Sequence, residues 1–194
     1  MQITLVGLGM IEELVSTALL EIDPHLVRLS NLRYDDQAPL SGLKYQERPF
    51  VYEFYHQIRK LQEEGAPELQ GIIFQGEVSK VYQGINHIPD LLLHAPNQST
   101  NLAGFEFELS DYPHIDKDVR TLTRLRELGY QELYLILVGS PLDGNGVNRI
   151  IANHCNPSGT PVHIVALDCG RPKADRITFN DVISLAYTGS HQAV

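Results

Sequence analysis

Two glutamates in one predicted strand are the residues of this sequence best placed to do chemistry. In the segment LAGFEFEL, residues 102–109, strand alternation puts Glu106 and Glu108 on one face and the two phenylalanines on the other. The two carboxylates then project side by side, about 7 Å apart along the strand. Like charges held this close repel each other, and a bound cation is the usual way to offset the repulsion.

A third acid is predicted to join this pair. Asp90 follows a proline at the start of the predicted strand 88–94, and its side chain shares a face with Leu92. If this strand pairs with residues 102–109 as a hairpin, Asp90 can reach Glu106. Carboxylate oxygens are the ligands that hard cations prefer, so the cluster predicts a site for Mg²⁺ or Mn²⁺.

The helix predicted over residues 47–64 carries a further candidate, Glu47, at its first position. Helical geometry places Glu47 in the middle of the apolar face, together with Phe54 and Ile58. A carboxylate aimed at the core is costly unless something pairs with it. The alternative is a glutamate that is favoured there only because it lies near the positive end of the helix dipole.

The elements that must position these acids alternate between helices and strands. From residue 47 the predicted order is helix, three strand segments, helix, strand, helix, strand. This order is typical of an α/β chain with a mixed central β-sheet flanked by helices. No linker divides the chain, so we expect one domain over residues 1–194. The predicted helices are 10–21, 47–64, 116–128, 145–154 and 179–187, and the predicted strands are 3–6, 70–82, 88–94, 102–109, 132–138 and 162–167.

Composition narrows the class of protein further. The chain has 194 residues, 43% of them hydrophobic, and a formal net charge of -9, which argues against loose, charge-driven binding to nucleic acid or to a membrane. A local site where metal ions offset the acids stays compatible with that charge. Two cysteines, Cys155 and Cys169, and an N-terminus without a basic signal region predict a cytoplasmic protein with no membrane partner.

The motif resembles that of a known superfamily. Pro89-Asp90, then Glu106-Phe107-Glu108, after a helix that carries a glutamate, is similar to the PD-(D/E)xK, restriction endonuclease-like nucleases. The core of that superfamily runs helix, three strands, helix, strand, and residues 47–138 match this αβββαβ order. The resemblance implies that residues 1–43 form an N-terminal extension and residues 139–194 a C-terminal αβ extension.

The resemblance implies a metal-dependent nuclease that hydrolyses phosphodiester bonds in nucleic acid, with DNA as the expected partner and a homodimer as one assembly. Asp90 and Glu106 match the metal-binding acids, and Glu47 matches the glutamate that some members carry on the first core helix. Glu108 stands where most members have a lysine that positions the attacking water and stabilises charge on the phosphate. Some restriction enzymes carry glutamate there and still cleave.

Two lysines are candidates to replace the absent one. Lys80 lies on the preceding strand segment, and Lys117 lies on the helix that follows the motif. In other members of the superfamily the lysine is relocated, so each is a candidate catalytic residue. The alternative for each is a surface lysine that forms a salt bridge.

The helix predicted over residues 116–128 carries several basic residues that could hold backbone phosphates, among them Lys117, Arg120 and Arg124. The alternative is a solvated basic face. Three acids on the same helix would balance it: Asp116, Asp118 and Glu127.

A second function comes from another class of protein. The net charge of -9 and the glutamate at position 108 favour a chain that keeps this fold without cleaving. Such a chain would be a nucleic-acid- or protein-binding component of a larger assembly. A third reading makes the acids a structural pair with Arg48 or Lys80.

Overall fold

The part of the chain that the computed structural model describes contains three α-helices, two short 3₁₀ helices (Pro67–Leu69 and Lys173–Asp175) and one six-stranded sheet. The described residues are 10–23, 26, 47–76, 88–96, 101–109, 115–139, 155–169, 172–175 and 177–185. The helices are α1 (Met10–Glu21), α2 (Glu47–Glu63) and α3 (Ile115–Glu127). The strands are β1 (Ile73–Gly76), β2 (Leu91–His94), β3 (Asn101–Leu109), β4 (Tyr130–Gly139), β5 (Cys155–Asp168) and β6 (Ile177–Leu185).

The strands lie in the sheet in the same order as in the chain. β1, β2 and β3 form an antiparallel meander, β3, β4 and β5 are parallel, and β6 is antiparallel to β5. Because two parallel neighbours need a crossover connection, α3 links β3 to β4 over one face of the sheet. The predicted mixed α/β architecture is therefore confirmed.

The ends of the helices follow local signals in the sequence. α2 stops before Gly65 and α3 stops before Gly129, and both glycines have positive φ, 98° and 84°. α1 and α3 lie within one residue of their predicted bounds. Within the described residues, no helix has both the length and the apolar character that crossing a membrane would require.

The sheet is covered on both faces, which gives two buried cores. On one face α2 packs its phenylalanine rings against β3, with Phe54 5.2 Å from Phe107 and 5.6 Å from Phe105 between ring centroids. α1 joins the same core through Val15 and Leu19. On the other face α3 packs against β2, β4 and β5 through residues that include Val119, Leu122 and Leu125.

The C-terminal part differs from the prediction. Residues 179–187 were predicted as a helix, and this is wrong, because β6 runs from Ile177 to Leu185 antiparallel to β5. The segment ITFNDVISL is rich in β-branched residues, and pairing with β5 satisfies its backbone, which outweighs a short helical pattern. The predicted strand 3–6, the predicted helix 145–154 and residues 77–82 of the predicted strand 70–82 lie outside the described residues.

Candidate functional site

The β2–β3 pair brings Asp90 and Glu106 together, as the hairpin expectation required. Leu91 lies opposite Phe105 in the antiparallel register, so Asp90, one residue earlier, lies opposite Glu106. The backbone N–H of Phe107 donates to Oδ2 of Asp90 at 2.8 Å. The carboxyl groups of Asp90 and Glu106 also share a hydrogen bond. Two carboxyl groups can share such a bond only when one of them holds a proton.

Glu106 and Glu108 lie on the sheet face that α3 covers. Their residues are only 2% and 3% exposed, and β3 places them beside Leu135 and Leu137 of β4. Burial raises the pKa of Glu106 well above its usual range, and the negative charges of Asp90 and Asp118 raise it further. Oε1 of Glu106 is buried and has no hydrogen-bond partner among the described residues.

Gly104 determines how closely α3 approaches these glutamates. A Cβ atom at Gly104 would lie 2.5 Å from Cδ1 of Leu125, so the absence of a side chain lets α3 settle directly on β3. The first turn of α3, which carries Lys117 and Asp118, then stands over the part of β3 where Glu106 and Glu108 emerge. The electrostatic interactions of these residues agree with this placement.

Asp118 is a member of the cluster that sequence reasoning missed. It was placed on a solvated face, and the structure corrects this, because Asp118 is 3% exposed and faces the sheet. The pKa of Asp118 is raised to about 8. Burial is the largest cause, and the negative charges of Glu108 and Asp90 raise it further. The signal was present in the sequence, since Asp118 lies four residues before Leu122 and seven before Leu125, on the apolar stripe of the helix.

Glu47, the first residue of α2, lies near the same cluster. Val51, Phe54 and Ile58 form the buried face of α2 as predicted, but Glu47 itself is exposed because it is the first residue of the helix, before the first buried turn. Partial burial of its carboxyl raises the pKa of Glu47 to about 7, and the charges of Asp90 and Glu108 add to this shift.

Positive charge enters the cluster mainly from the start of α3. The ammonium of Lys117, which is half-buried, lowers the pKa of Glu47, Glu106 and Asp118 against the effects that raise them. Arg48 has the same effect on Glu47.

The remaining basic residues lie elsewhere. Arg124 is seven residues, or about 10 Å of helix axis, beyond Lys117. It forms an exposed ion pair of 2.7 Å with Glu127. Arg120 lies between the two ends of α3 and is half-buried. Lys80 lies outside the described residues, so its role and the phosphate-binding roles of Arg120 and Arg124 stay predictions.

The donor chemistry of the cluster fits a hard divalent cation. Its carboxyl groups supply only oxygen ligands, which Mg²⁺ and Mn²⁺ prefer. They belong to Asp90, Glu106, Glu108, Asp118 and Glu47. The unpartnered buried oxygens of Glu106 and Asp118 are places where a cation would offset the cost of burial. In the described part of the chain, however, no three His, Cys, Asp or Glu side chains already face one point as metal ligands. The Asp90–Glu106 hydrogen bond points those two carboxyls at each other, so a cation requires loss of the shared proton and rotation of a side chain.

Comparisons of the chain with protein-family models, with curated proteins and with solved structures found no match.

Proposed function

We propose that this chain is a metal-dependent nuclease of the PD-(D/E)xK type, with DNA as its expected substrate. One observation carries the proposal: Asp90 from β2 and Glu106 from β3 lie opposite each other and share a hydrogen bond inside a cluster of buried carboxyls. Buried like charges are expensive, and they are found together mainly where a cation or a shared proton serves a function.

The order of the elements supports the same proposal. Among the described residues from Glu47 to Gly139 the elements run α2, β1, β2, β3, α3, β4, apart from a short 3₁₀ turn between α2 and β1. This is the αβββαβ order of the restriction endonuclease-like core. The motif acids fall on the start of β2 and near the end of β3, where two neighbouring strands can present them together.

Each residue of the cluster has a chemical role in this proposal. Asp90 and Glu106 would hold Mg²⁺ or Mn²⁺, with Glu47 near enough to join them. The cation, when bound, supplies Lewis-acid activation of the attacking water and offsets charge at the scissile phosphate. Glu108 accepts the proton that the water gives up as its oxygen attacks phosphorus and the leaving oxygen departs.

Lys117 takes the part of the lysine that position 108 lacks. It stands on the first turn of α3, and its charge already acts on Glu47, Glu106 and Asp118. An ammonium there would bind a non-bridging phosphate oxygen and stabilise the charge that develops on it. Arg120, one turn further along the helix, would hold a neighbouring backbone phosphate.

The test is calorimetric titration of metal-free protein with Mn²⁺, for the wild type and for Asp90→Asn. Asparagine keeps an oxygen that can accept the N–H of Phe107, so the β2–β3 pairing is preserved. Glu63→Gln is the control, because it removes one exposed charge at the other end of α2. We expect the wild type and the control to bind Mn²⁺ and Asp90→Asn to have lost that binding. The wild type and the control should also cleave plasmid DNA when Mn²⁺ is present. No heat beyond dilution for the wild type would contradict the proposal.

One observation favours a second function. Glu108 replaces a lysine that most of these nucleases use, and the described residues present no preformed set of three metal ligands. A chain with the same fold that does not cleave would serve as a nucleic-acid- or protein-binding component of an assembly. Absence of Mn²⁺ binding in the titration would favour this function.

A further inference from the structure

Asp118 poses a problem that the motif residues do not explain. It lies in the first turn of α3 on the side that faces the sheet, and its residue is 3% exposed. Its Oδ2 atom is buried without a hydrogen-bond partner within the described residues. An aspartate left like this costs more than an apolar residue of similar size would, so the position calls for a compensating partner.

Acids outnumber the positive charges that act on Asp118, because Lys117 alone opposes them among the described groups that shift its pKa. The negative charges of Glu108 and Asp90 act on Asp118, and the charge of Asp118 acts in turn on Glu106. Glu106 carries the other unpartnered carboxyl oxygen of the cluster, Oε1. Two buried oxygens without partners therefore lie on facing elements, one on β3 and one on α3, held in place by the close packing of Leu125 over Gly104.

Glu47 differs from Asp118 in this respect. Glu47 is exposed, so water reaches its carboxyl even though part of that carboxyl is buried. Asp118 has no such outlet. A hard cation takes six or more oxygen ligands, and the motif supplies only two carboxylates, one of which already accepts the N–H of Phe107.

We propose that Asp118 is a third protein ligand of the divalent cation bound by Asp90 and Glu106, contributed by α3 rather than by the strands. The three carboxyls do not face one point in this structure, so the proposal includes their rotation toward the cation as it binds. This inference rests on the proposed function, because it assumes that the cation site exists. It adds that the site is closed by the helix, so that docking of α3 on β3 and cation binding depend on each other.

The first test compares Mn²⁺ affinity in the wild type, Asp90→Asn and Asp118→Asn. Changes in the surroundings of metal ligands already lower affinity about 10–100-fold, so loss of a ligand is expected to cost about tenfold or more in Asp118→Asn. Glu127→Gln, which removes an exposed charge from the same helix, is the matched control and should bind as the wild type does. Wild-type affinity in Asp118→Asn together with loss in Asp90→Asn overturns this inference and leaves the proposed function intact. No binding by the wild type overturns the proposed function itself.

A second variant separates ligation from loss of charge. Asp118→Cys replaces a hard oxygen with a soft sulfur, so a ligand position should change its metal preference. We expect affinity for Cd²⁺ relative to Mn²⁺ to rise about tenfold or more over the wild type, with a new thiolate-to-cadmium absorption band. The wild type, which keeps Cys155 and Cys169, gives the background. An unchanged metal preference and no new band in Asp118→Cys would mean that Asp118 is only a structural residue, and would overturn the inference.

Discussion

Glu106 and Glu132 are buried glutamates on neighbouring strands of one sheet, and their surroundings differ in kind. Glu132 on β4 is 7% exposed and accepts a hydrogen bond from the hydroxyl of Tyr134 at 2.5 Å. The ring of Tyr134 stacks on His163 of β5 at 4.8 Å. Glu106 on β3 has carboxyl groups around it instead, and one of its oxygens has no partner among the described residues.

The difference shows in the forces on the two carboxyls. Burial raises the pKa of Glu132 and the charge of Glu12 adds to this, but the Tyr134 hydroxyl and the charge of His163 act in the opposite direction. Burial also raises the pKa of Glu106, and there Asp90 and Asp118 raise it further, while among the described residues Lys117 opposes them. Glu132 has a hydroxyl that donates to its carboxylate, whereas Glu106 shares a proton with Asp90 among like charges that a cation would offset. Burial is therefore common to both carboxyls, and the groups around them are what differ.

The largest expected effect comes from replacing each glutamate by glutamine. Glu106→Gln removes one of the two motif ligands, so we expect Mn²⁺ affinity to fall by about 10–100-fold or more and DNA cleavage to disappear. Glu132→Gln should leave both unchanged, because Glu132 lies on the other face of the sheet, with Tyr134. Calorimetry and a plasmid nicking assay measure the two effects. Equal losses in both variants would break the comparison.

A smaller effect is expected at Lys117. Lys117→Gln keeps every carboxylate, so Mn²⁺ binding should persist, while cleavage falls about 100-fold through loss of charge stabilisation at the phosphate. Arg124→Gln is the matched control, because Arg124 is paired with Glu127 at the opposite end of α3. Single-turnover cleavage at saturating Mn²⁺ is the measurement. Unchanged cleavage in Lys117→Gln would contradict the role of Lys117 and leave Lys80 as the candidate for the lysine that position 108 lacks.

Substitutions at Glu132 and at Glu106 should change the unfolding free energy of the metal-free protein in different ways. Glu132→Ala leaves the buried Tyr134 hydroxyl without its acceptor, which costs about 1–3 kcal/mol of unfolding free energy. Glu106→Gln replaces a carboxyl that shares a proton with Asp90 by a neutral amide that can donate to Asp90 in its place, so the unfolding free energy should stay the same or rise. Urea denaturation in EDTA tests both variants. A loss of stability in Glu106→Gln as large as that in Glu132→Ala would show that both carboxyls are structural.

The smallest expected effect is the dependence of the unfolding free energy on pH. The folded-state pKa values of Glu47 and Asp118 are raised to about 7 and about 8 from ordinary values of 4.5 and 3.8. Between these limits the folded protein holds more protons than the unfolded chain, so its unfolding free energy falls as pH rises. The loss of unfolding free energy that these two groups cause is absent below their unfolded-state pKa values and complete above their folded-state pKa values.

We therefore expect metal-free protein to be more stable at pH 5 than at pH 8 in urea denaturation. Asp118→Asn should flatten this dependence, because it removes one of the groups that take up a proton on folding. A stability that rises from pH 5 to pH 8 in the wild type would mean that the acids are not coupled as the structure has them.

Much of this site could be predicted from the alternation of one strand. The pattern LAGFEFEL correctly separated Phe105 and Phe107, which pack on α2, from Glu106 and Glu108, which face α3. The turn-forming residues around Gly65 and Gly129 fixed the ends of two helices, and the position of Asp90 before β2 fixed its reach to Glu106. The strand alternation and the helix ends are local features, and the reach of Asp90 to Glu106 needed only the pairing of two consecutive strands.

What failed depended on tertiary contacts. Asp118 was taken for a partner of the basic residues on its own helix. Its position on the apolar stripe could be read from the sequence, but the close approach of α3 to β3, which Gly104 permits, could not. Residues 179–187 were assigned to a helix because their strand depends on pairing with β5, 14 residues long, whose extent was also underestimated. In both cases the deciding neighbour is distant in sequence.

The most direct test of the central claim is to count Mn²⁺ ions bound by metal-free protein, from the loss of the paramagnetic resonance signal of free Mn²⁺. The account predicts binding by the wild type and by Glu132→Gln and no binding by Asp90→Asn. Binding that survives in Asp90→Asn, or wild-type protein that leaves the free signal unchanged, would contradict it.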